Sequence, residues 1–308
     1  MVNKHRSQSD RSIDFGKRVG RFVSSRAEET FFKMYAEAMK QWPDSRQELK
    51  LETSFGPTHV YAYGNEKGEP IVLLHGANST SASWANYVAA LGKNHPVYAV
   101  DTIGDAGRSI QNAPIQHAED YALWLDEVLQ GLGLESVHVI GASYGGWMAI
   151  NQAVHSPRFL QSIVLLDPAR ALAGISYRAW PFMLWASIFG PDVIRRAFIR
   201  WTSASPITDN PQTELVISAM RDFKMQRIPP QYVSDDELRT VNIPTLVLLG
   251  EKSTMHSSQK AAARGKQFIQ DVEVDIVPKA GHKLPADQVN GRILRFLDQH
   301  RKSSKDRL

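Results

Sequence analysis

Short apolar runs rich in Val, Ile and Leu recur along the sequence and limit its possible folds more than any other feature. They cover residues 71–76, 97–104, 137–143, 162–168, 245–251 and 272–278. Because each run is apolar almost throughout, it predicts a strand buried on both faces, as parallel sheets require. A further segment, residues 58–64, alternates between apolar and polar positions like a half-buried strand.

Helical segments separate several of these runs. They are predicted at residues 27–42, 117–131, 145–155, 257–270 and 286–299. In the first segment Phe31, Tyr35 and Ala38 recur at helical spacing, which predicts a helix that packs on the main body and stops at Pro43. Alternation of strand and helix predicts an α/β fold with a doubly wound, mostly parallel sheet and right-handed crossovers.

One interval interrupts this alternation. Between Pro168 and Pro244 the sequence shows no convincing buried strand, although aromatic residues are frequent there. We therefore predict an α/β core at residues 27–168 and 239–300, with a helical lid at residues 169–238 inserted after the sixth strand. The alternative is that these aromatic side chains only attach the inserted block to the core.

The charge distribution bears on possible partners. The chain carries 36 Lys and Arg against 32 Asp and Glu, and much of the excess lies in residues 1–26 and 301–308. We expect a basic, mobile N-terminal segment and a basic tail. Because no basic stripe with interleaved aromatic residues is present, we expect no nucleic-acid partner. The oligomeric state stays open.

Other function classes are excluded by composition. The sequence has no cysteine, which excludes disulfides, thiol catalysis and cysteine-ligated metals. No apolar run approaches the roughly 20 residues of a membrane span, and the N-terminus lacks the apolar centre of a secretory signal. We therefore expect no membrane partner and a cytoplasmic location. Asp101 and Asp105 lack an accompanying His or Glu cluster, so we expect no metal site.

The clearest chemical motif is the G-x-S-x-G of residues 141–145. An apolar strand precedes it and a predicted helix follows it. Such a strand-to-helix turn holds a serine in a strained conformation with its hydroxyl above the sheet. Ser143 is therefore the predicted nucleophile, and the backbone N–H of Tyr144 is a predicted oxyanion donor.

A second donor is expected from the loop after residues 71–76. Ala77 or Asn78 can direct a backbone N–H at the same oxyanion, and we assign Ala77. His75 in this loop is predicted to brace it by hydrogen bonding. His282 instead follows the last apolar run, in a glycine-containing loop at the carboxyl edge of the sheet, where reactive groups of open α/β folds collect. It is the predicted general base for Ser143.

The motifs HGANS, GASYGG and AGHKL, in this order, resemble the α/β-hydrolase superfamily over most of residues 50–300. The stretches FGPTHVYAYG, YAVDTIGDAGRS and DDELRTVNIPTLVLLGE are similar, more narrowly, to bacterial carboxylesterases of the naproxen-esterase type. The resemblance implies hydrolysis of small carboxylic esters through an acyl-enzyme, with no cofactor.

The resemblance also implies an acid two residues beyond Glu251, but Ser253 stands there. A serine cannot stabilise the imidazolium that forms on the histidine. Asp167, at the end of an apolar run nearer the nucleophile strand, is the predicted triad acid. Glu251 is the alternative acid. His256 is predicted to be a surface loop residue.

Two functions stay open at this point. The first is a serine hydrolase, a carboxylesterase by preference, with Ser143, Asp167 and His282 as its triad. Related hydrolysis of amides, lactones or carbon–carbon bonds uses the same groups, because the fold does not set the substrate. The second is a non-catalytic ligand-binding protein that has lost its acid, an alternative that depends on Ser253.

Overall fold

The computed structural model describes residues 19–188, 190–203 and 210–301. Their strands are β1 (Arg21–Phe22), β2 (Gln47–Leu51), β3 (Thr58–Gly64), β4 (Ile71–Leu74), β5 (Pro96–Val100), β6 (Val137–Ala142), β7 (Leu160–Leu166), β8 (Phe223–Lys224), β9 (Thr245–Gly250) and β10 (Val272–Val277). Their helices are α1 (Ser25–Met39), α2 (Ala85–Leu91), α3 (Ala118–Gly131), α4 (Tyr144–His155), α5 (Ala179–Ile188), α6 (Asp192–Ser203), α7 (Pro211–Asp222), α8 (Asp235–Thr240), α9 (Ser258–Phe268) and α10 (Ala286–Gln299).

An eight-stranded sheet in the order β10-β9-β7-β6-β4-β5-β3-β2 forms the centre of the molecule. Strand β3 is antiparallel to both β2 and β5, and the remaining pairs are parallel. The predicted α/β fold with a mostly parallel sheet is confirmed. Strand β2 was not predicted, because its sequence QELKL is polar and lies half-exposed at the edge of the sheet.

The apolar runs supply side chains to both faces of the sheet. Leu74, Val139 and Leu165 are buried on one face, where α3, α4 and α9 pack. Their chain neighbours Leu73 and Ile140 are buried on the other face with α1, α2 and α10. Successive side chains of a strand point to opposite faces, so two covered faces require runs without polar positions. Burial of each such side chain stabilises the fold by roughly 1.5–3 kcal/mol.

The block between β7 and β9 is helical, with α5, α6, α7 and α8 and the short strand β8. Helix α7 packs against α1, and β8 pairs with β1, so the block contacts the N-terminal part of the chain. That residues 169–238 act as a lid stays a prediction. None of the helices in the described part of the chain combines the length and apolar character that a membrane span requires.

The chain ends differ partly from expectation. Residues 1–18 of the predicted mobile segment and 302–308 of the basic tail lie outside the described residues. Arg21 and Phe22 form β1, and α1 begins at Ser25, where the Ser24 side chain accepts a hydrogen bond from the N–H of Ala27. An N-cap serine satisfies a free N–H at the start of a helix, which explains why α1 begins two residues before the predicted helix. The domain boundary at residue 26 stays a prediction.

Candidate active site

Ser143 lies in the sharp turn between β6 and α4. Its φ of 52° and ψ of −110° are unfavourable for a side chain with a Cβ. The turn is possible because Gly145 follows it: a Cβ there would lie 2.0 Å from the carbonyl oxygen of Leu74. The backbone N–H of Ser143 donates to the carbonyl of Leu166, and its carbonyl accepts from Ala169, so the strained turn is fixed to the end of β7.

His282 reaches Ser143 from the loop between β10 and α10. Nε2 of His282 lies 2.8 Å from Oγ of Ser143. The imidazole is mostly covered, with 14% of the side chain exposed. Its backbone N–H donates to the carbonyl of Thr202 in α6. This distance permits direct transfer of the serine proton to the histidine.

Asp167 lies on the other side of this imidazole. Nδ1 of His282 and Oδ2 of Asp167 are 2.5 Å apart. Asp167 is fully buried and has a φ of 46°, in the left-handed region. The N–H of Gly250 donates to Oδ1 at 2.9 Å, and the N–H of Asp167 donates to the carbonyl of Leu248. A carboxylate in this position selects the histidine tautomer that can accept the serine proton.

The surroundings of Asp167 keep it ionised. Burial alone would raise the pKa of this carboxyl group, but His256 and His282 outweigh that effect and hold the pKa well below its usual range. The group is therefore a carboxylate at neutral pH, which a triad acid must be.

The loop after β9 contributes a hydroxyl group to this carboxylate. Oγ of Ser253 donates to Oδ2 of Asp167 at 2.6 Å. Ser253 stands where the resemblance implies an acid, and it contacts the carboxylate of Asp167, the predicted acid. Among the described residues no hydrogen bond or ion pair joins Glu251 to His282, and the Glu251 carboxylate accepts a hydrogen bond from the backbone N–H of Lys279 at 2.7 Å.

His256 departs from expectation. The prediction of a surface position is wrong, because only 5% of the residue is exposed. Its Nε2 lies 3.3 Å from Oδ2 of Asp167. The sequence gives only a faint indication that His256 lies near Asp167. A serine and a histidine three residues apart occupy the loop in which the resemblance implies the acid.

The loop after β4 lies beside the nucleophile. A Cβ on Gly76 would be 3.4 Å from Cβ of Ser143. The N–H of Asn78 is directed away, toward both carboxylate oxygens of Asp105 at 3.3 Å. Within the described ranges, no hydrogen bond uses the backbone N–H of Ala77 or of Tyr144. Of the two donors considered in this loop, the geometry favours Ala77 over Asn78.

His75 is buried below this loop. Its Nε2 accepts a hydrogen bond from the N–H of Thr102 at 3.0 Å, so Nδ1 is the protonated nitrogen and donates to the carbonyl of Gly76 at 2.8 Å. These bonds brace the loop, in the manner predicted from the sequence.

The two aspartates considered as metal ligands have protein partners. Asp101 accepts hydrogen bonds from the hydroxyl groups of Tyr35 and Ser81. Asp105 accepts from Asn78 and lies 3.6 Å from Nε of Arg227. No group of three potential metal-ligating side chains occurs among the residues that the structure describes.

Comparison with known proteins places this chain in a family. Residues 71–294 match the sequence profile of the Alpha/beta hydrolase family. The carboxylesterase YbfK of Bacillus subtilis (strain 168) is 31% identical over 278 residues, which cover 87% of this chain and 93% of that protein. An uncharacterized carboxylesterase, nap, of the same organism is also 31% identical and covers 87% of this chain and 92% of its own.

Solved structures support the same family assignment. The crystal structure of naproxen esterase (carboxylesterase NP) from Bacillus subtilis has a TM-score of 0.80 at 30% identity and covers 87% of this chain and 96% of that chain. The crystal structure of carboxylesterase CesB (YbfK) from Bacillus subtilis has a TM-score of 0.82 at 28% identity, with coverage of 88% and 98%. The resemblance found in the sequence is confirmed: the chain belongs to the α/β-hydrolase family.

Proposed function

We propose that this protein is a serine hydrolase that cleaves carboxylic esters of small molecules through an acyl-enzyme. The observation that carries the proposal is the unbroken series of short contacts from Oγ of Ser143 through the imidazole of His282 to the carboxylate of Asp167. The relatives named as carboxylesterases support the choice of ester as the substrate class.

The first half of the reaction forms the acyl-enzyme. Oγ of Ser143 attacks the ester carbonyl carbon while Nε2 of His282 takes the hydroxyl proton, and the carboxylate of Asp167 stabilises the resulting imidazolium. The N–H groups of Ala77 and Tyr144 donate to the oxyanion of the tetrahedral intermediate. When the intermediate collapses, His282 returns the proton to the leaving alcohol, and the acyl group stays on Ser143.

The second half releases the acid. A water molecule attacks the acyl carbonyl and gives its proton to His282. The second tetrahedral intermediate uses the same two N–H donors. Collapse returns the proton from His282 to Oγ of Ser143, which leaves a free carboxylic acid and the original enzyme. The cycle needs no group beyond these residues and water.

The non-catalytic alternative depended on Ser253 in place of the usual acid. The buried carboxylate of Asp167 contacts His282, and this contact supports the hypothesis of an active enzyme over that of a binding protein. Related substrates share the mechanism, so esters must be compared with amides and lactones of the same acyl group.

The decisive experiment compares the wild type with Ser143→Ala on p-nitrophenyl butyrate. We expect kcat to fall by at least about 10⁴-fold, because the nucleophile is removed while the fold is kept. A fluorophosphonate probe should label the wild type on Ser143, located by mass spectrometry of the digested protein, and should leave the variant unlabelled. Equal rates, or labelling at another residue, would contradict the proposal.

A further inference from the structure

His256 is a buried imidazole next to the candidate acid, and the mechanism above does not use it. It lies in the loop between β9 and α9, and only 2% of its side chain is exposed. Its Nε2 approaches Oδ2 of Asp167 at 3.3 Å, on the same oxygen that Nδ1 of His282 and Oγ of Ser253 contact. In the part of the chain that the structure describes, neither ring nitrogen has a partner in hydrogen-bond geometry.

The charges around this ring favour its protonation. Burial opposes a positive charge on the imidazole, but the carboxylate of Asp167 outweighs it and raises the pKa of His256 above its ordinary value. Asp167, at the end of β7, is the charged group that faces His256 among the described residues, and His282 from the β10–α10 loop is the other titratable group on that carboxylate.

We propose that His256 is a positioning residue that acts through Asp167, and that uptake of a proton by His256 suppresses the chemistry at Ser143. The inference rests on the proposed hydrolase function. It assigns to this site a second imidazole, that of His256, which interacts with the same Asp167 carboxylate as the general base His282.

The reason is the charge that the Asp167 carboxylate can stabilise. Transfer of the Ser143 proton puts a positive charge on His282 and leaves the matching negative charge on the substrate oxyanion. With neutral His256, the carboxylate stabilises only the imidazolium of His282. With His256 protonated, the same carboxylate oxygen already faces a positive charge, and the two imidazolium groups repel each other in a buried site. Protonated His256 therefore raises the barrier to forming the imidazolium of His282.

The test is the pH dependence of kcat/KM for the full chain and for His256→Gln, whose amide is polar but does not titrate. The acidic midpoint of the profile should lie at lower pH in the variant than in the wild type, because proton uptake at residue 256 no longer contributes to the loss of activity. At one pH unit below the wild-type midpoint, the variant should keep a several-fold larger fraction of its own plateau than the wild type keeps. A purely structural histidine would change the plateau and leave the midpoint unchanged.

His95→Gln is the matched control. His95 is equally buried, and its Nδ1 contacts the carbonyl of Glu69, away from the triad. Its acidic midpoint should equal that of the wild type. Circular dichroism must show that both variants fold. An unchanged acidic midpoint in His256→Gln, or an equal shift in His95→Gln, overturns the proposal.

A second readout does not need activity. Nuclear magnetic resonance should follow the imidazole of His256 during a pH titration of the wild type and of Asp167→Asn. The half-protonation pH should fall when the carboxylate is removed, and an unchanged value overturns the proposal. If the wild type hydrolyses no ester while the titration shows the shift, the hydrolase function has failed and the pairing of His256 with Asp167 is supported. Normal hydrolysis with an unchanged acidic midpoint in His256→Gln overturns the role of His256 alone.

Discussion

Two neighbouring loops at the carboxyl edge of the sheet together form the candidate acid and its surroundings. The loop after β7 brings a carboxylate at Asp167, and the loop after β9 brings the N–H of Gly250, the hydroxyl of Ser253 and the imidazole of His256. In the related carboxylesterases, by the resemblance described above, the second loop is expected to bring the acid. We infer from this comparison that a carboxylate is required at one point in space and that either loop can supply it, and the variants below test this inference.

The parallel pairing of the two strands makes this exchange possible. Leu166, the last residue of β7, lies opposite Leu248, and β9 continues only to Gly250, so Asp167 lies beside the end of β9 and the start of its loop. The left-handed φ of 46° at Asp167 then turns its carboxylate toward the β9 loop. A left-handed conformation costs roughly 1–2 kcal/mol for a residue with a Cβ, although Asp and Asn tolerate it better than most. The hydrogen bonds from Gly250 and Ser253 offset this cost.

The largest expected effect comes from removing the charge in the β7 loop. Asp167→Asn keeps the shape and tolerates the same backbone, but its amide favours the wrong tautomer of His282. We expect kcat for p-nitrophenyl butyrate to fall by about 10⁴-fold.

Glu251→Gln is the control for that measurement, because it removes the alternative acid. The kcat of this variant should stay within about twofold of the wild-type value, since in the wild type the Glu251 carboxylate contacts the backbone N–H of Lys279 and not His282. A larger loss in Glu251→Gln than in Asp167→Asn would reverse the assignment of the acid.

An intermediate effect should follow from returning the acid to the β9 loop. The double variant Asp167→Asn with Ser253→Asp places a carboxylate where the hydroxyl of Ser253 now contacts the acid. We expect kcat to recover about 10²-fold relative to Asp167→Asn alone, because the correct tautomer is restored in imperfect geometry. Ser253→Asp in the wild-type background should be slower than the wild type, since two carboxylates then repel each other. No recovery in the double variant would mean that the loops are not interchangeable.

The smallest effect concerns the hydroxyl of Ser253. Ser253→Ala removes one of the hydrogen bonds to a buried carboxylate, and such bonds to charged groups are worth about 1.5–3 kcal/mol. Because Gly250 and His282 still hold Asp167, we expect about a tenfold fall in kcat with little change in KM. Thr254→Val is the matched control in the same loop: its hydroxyl has no hydrogen-bond partner among the described residues, and its kcat should be unchanged. A loss in the control equal to that in Ser253→Ala would show that the loop is sensitive to any substitution.

Much of the fold could be predicted because burial on both faces of a sheet requires a recognisable local sequence. Strands β4, β6 and β9 fall within the predicted apolar runs. Strand β2 and helix α2 were not predicted. Strand β2 is polar at the sheet edge, and α2, Ala85–Leu91, is too short to show a clear helical period.

The residues of the candidate site also differ in how far the sequence could predict them. Ser143 and His282 occur in motifs with a fixed relation to a strand end, so their positions could be predicted from the amino-acid sequence alone. Asp167 could be ranked above Glu251 from strand position alone. The burial of His256 could not be predicted, because tertiary contacts decide which residues of an irregular loop turn inward and no period marks them.

The backbone bond between His282 and Thr202 ties the general base to helix α6, outside the sheet. We expect that a substrate bulky enough to displace the end of that helix would break this bond and loosen the imidazole while the serine loses its proton. Substrate size would then affect both binding and the chemical step. On this reasoning we expect large acyl groups to lower kcat as well as to raise KM, so that a tightly bound ester need not be a rapidly cleaved one.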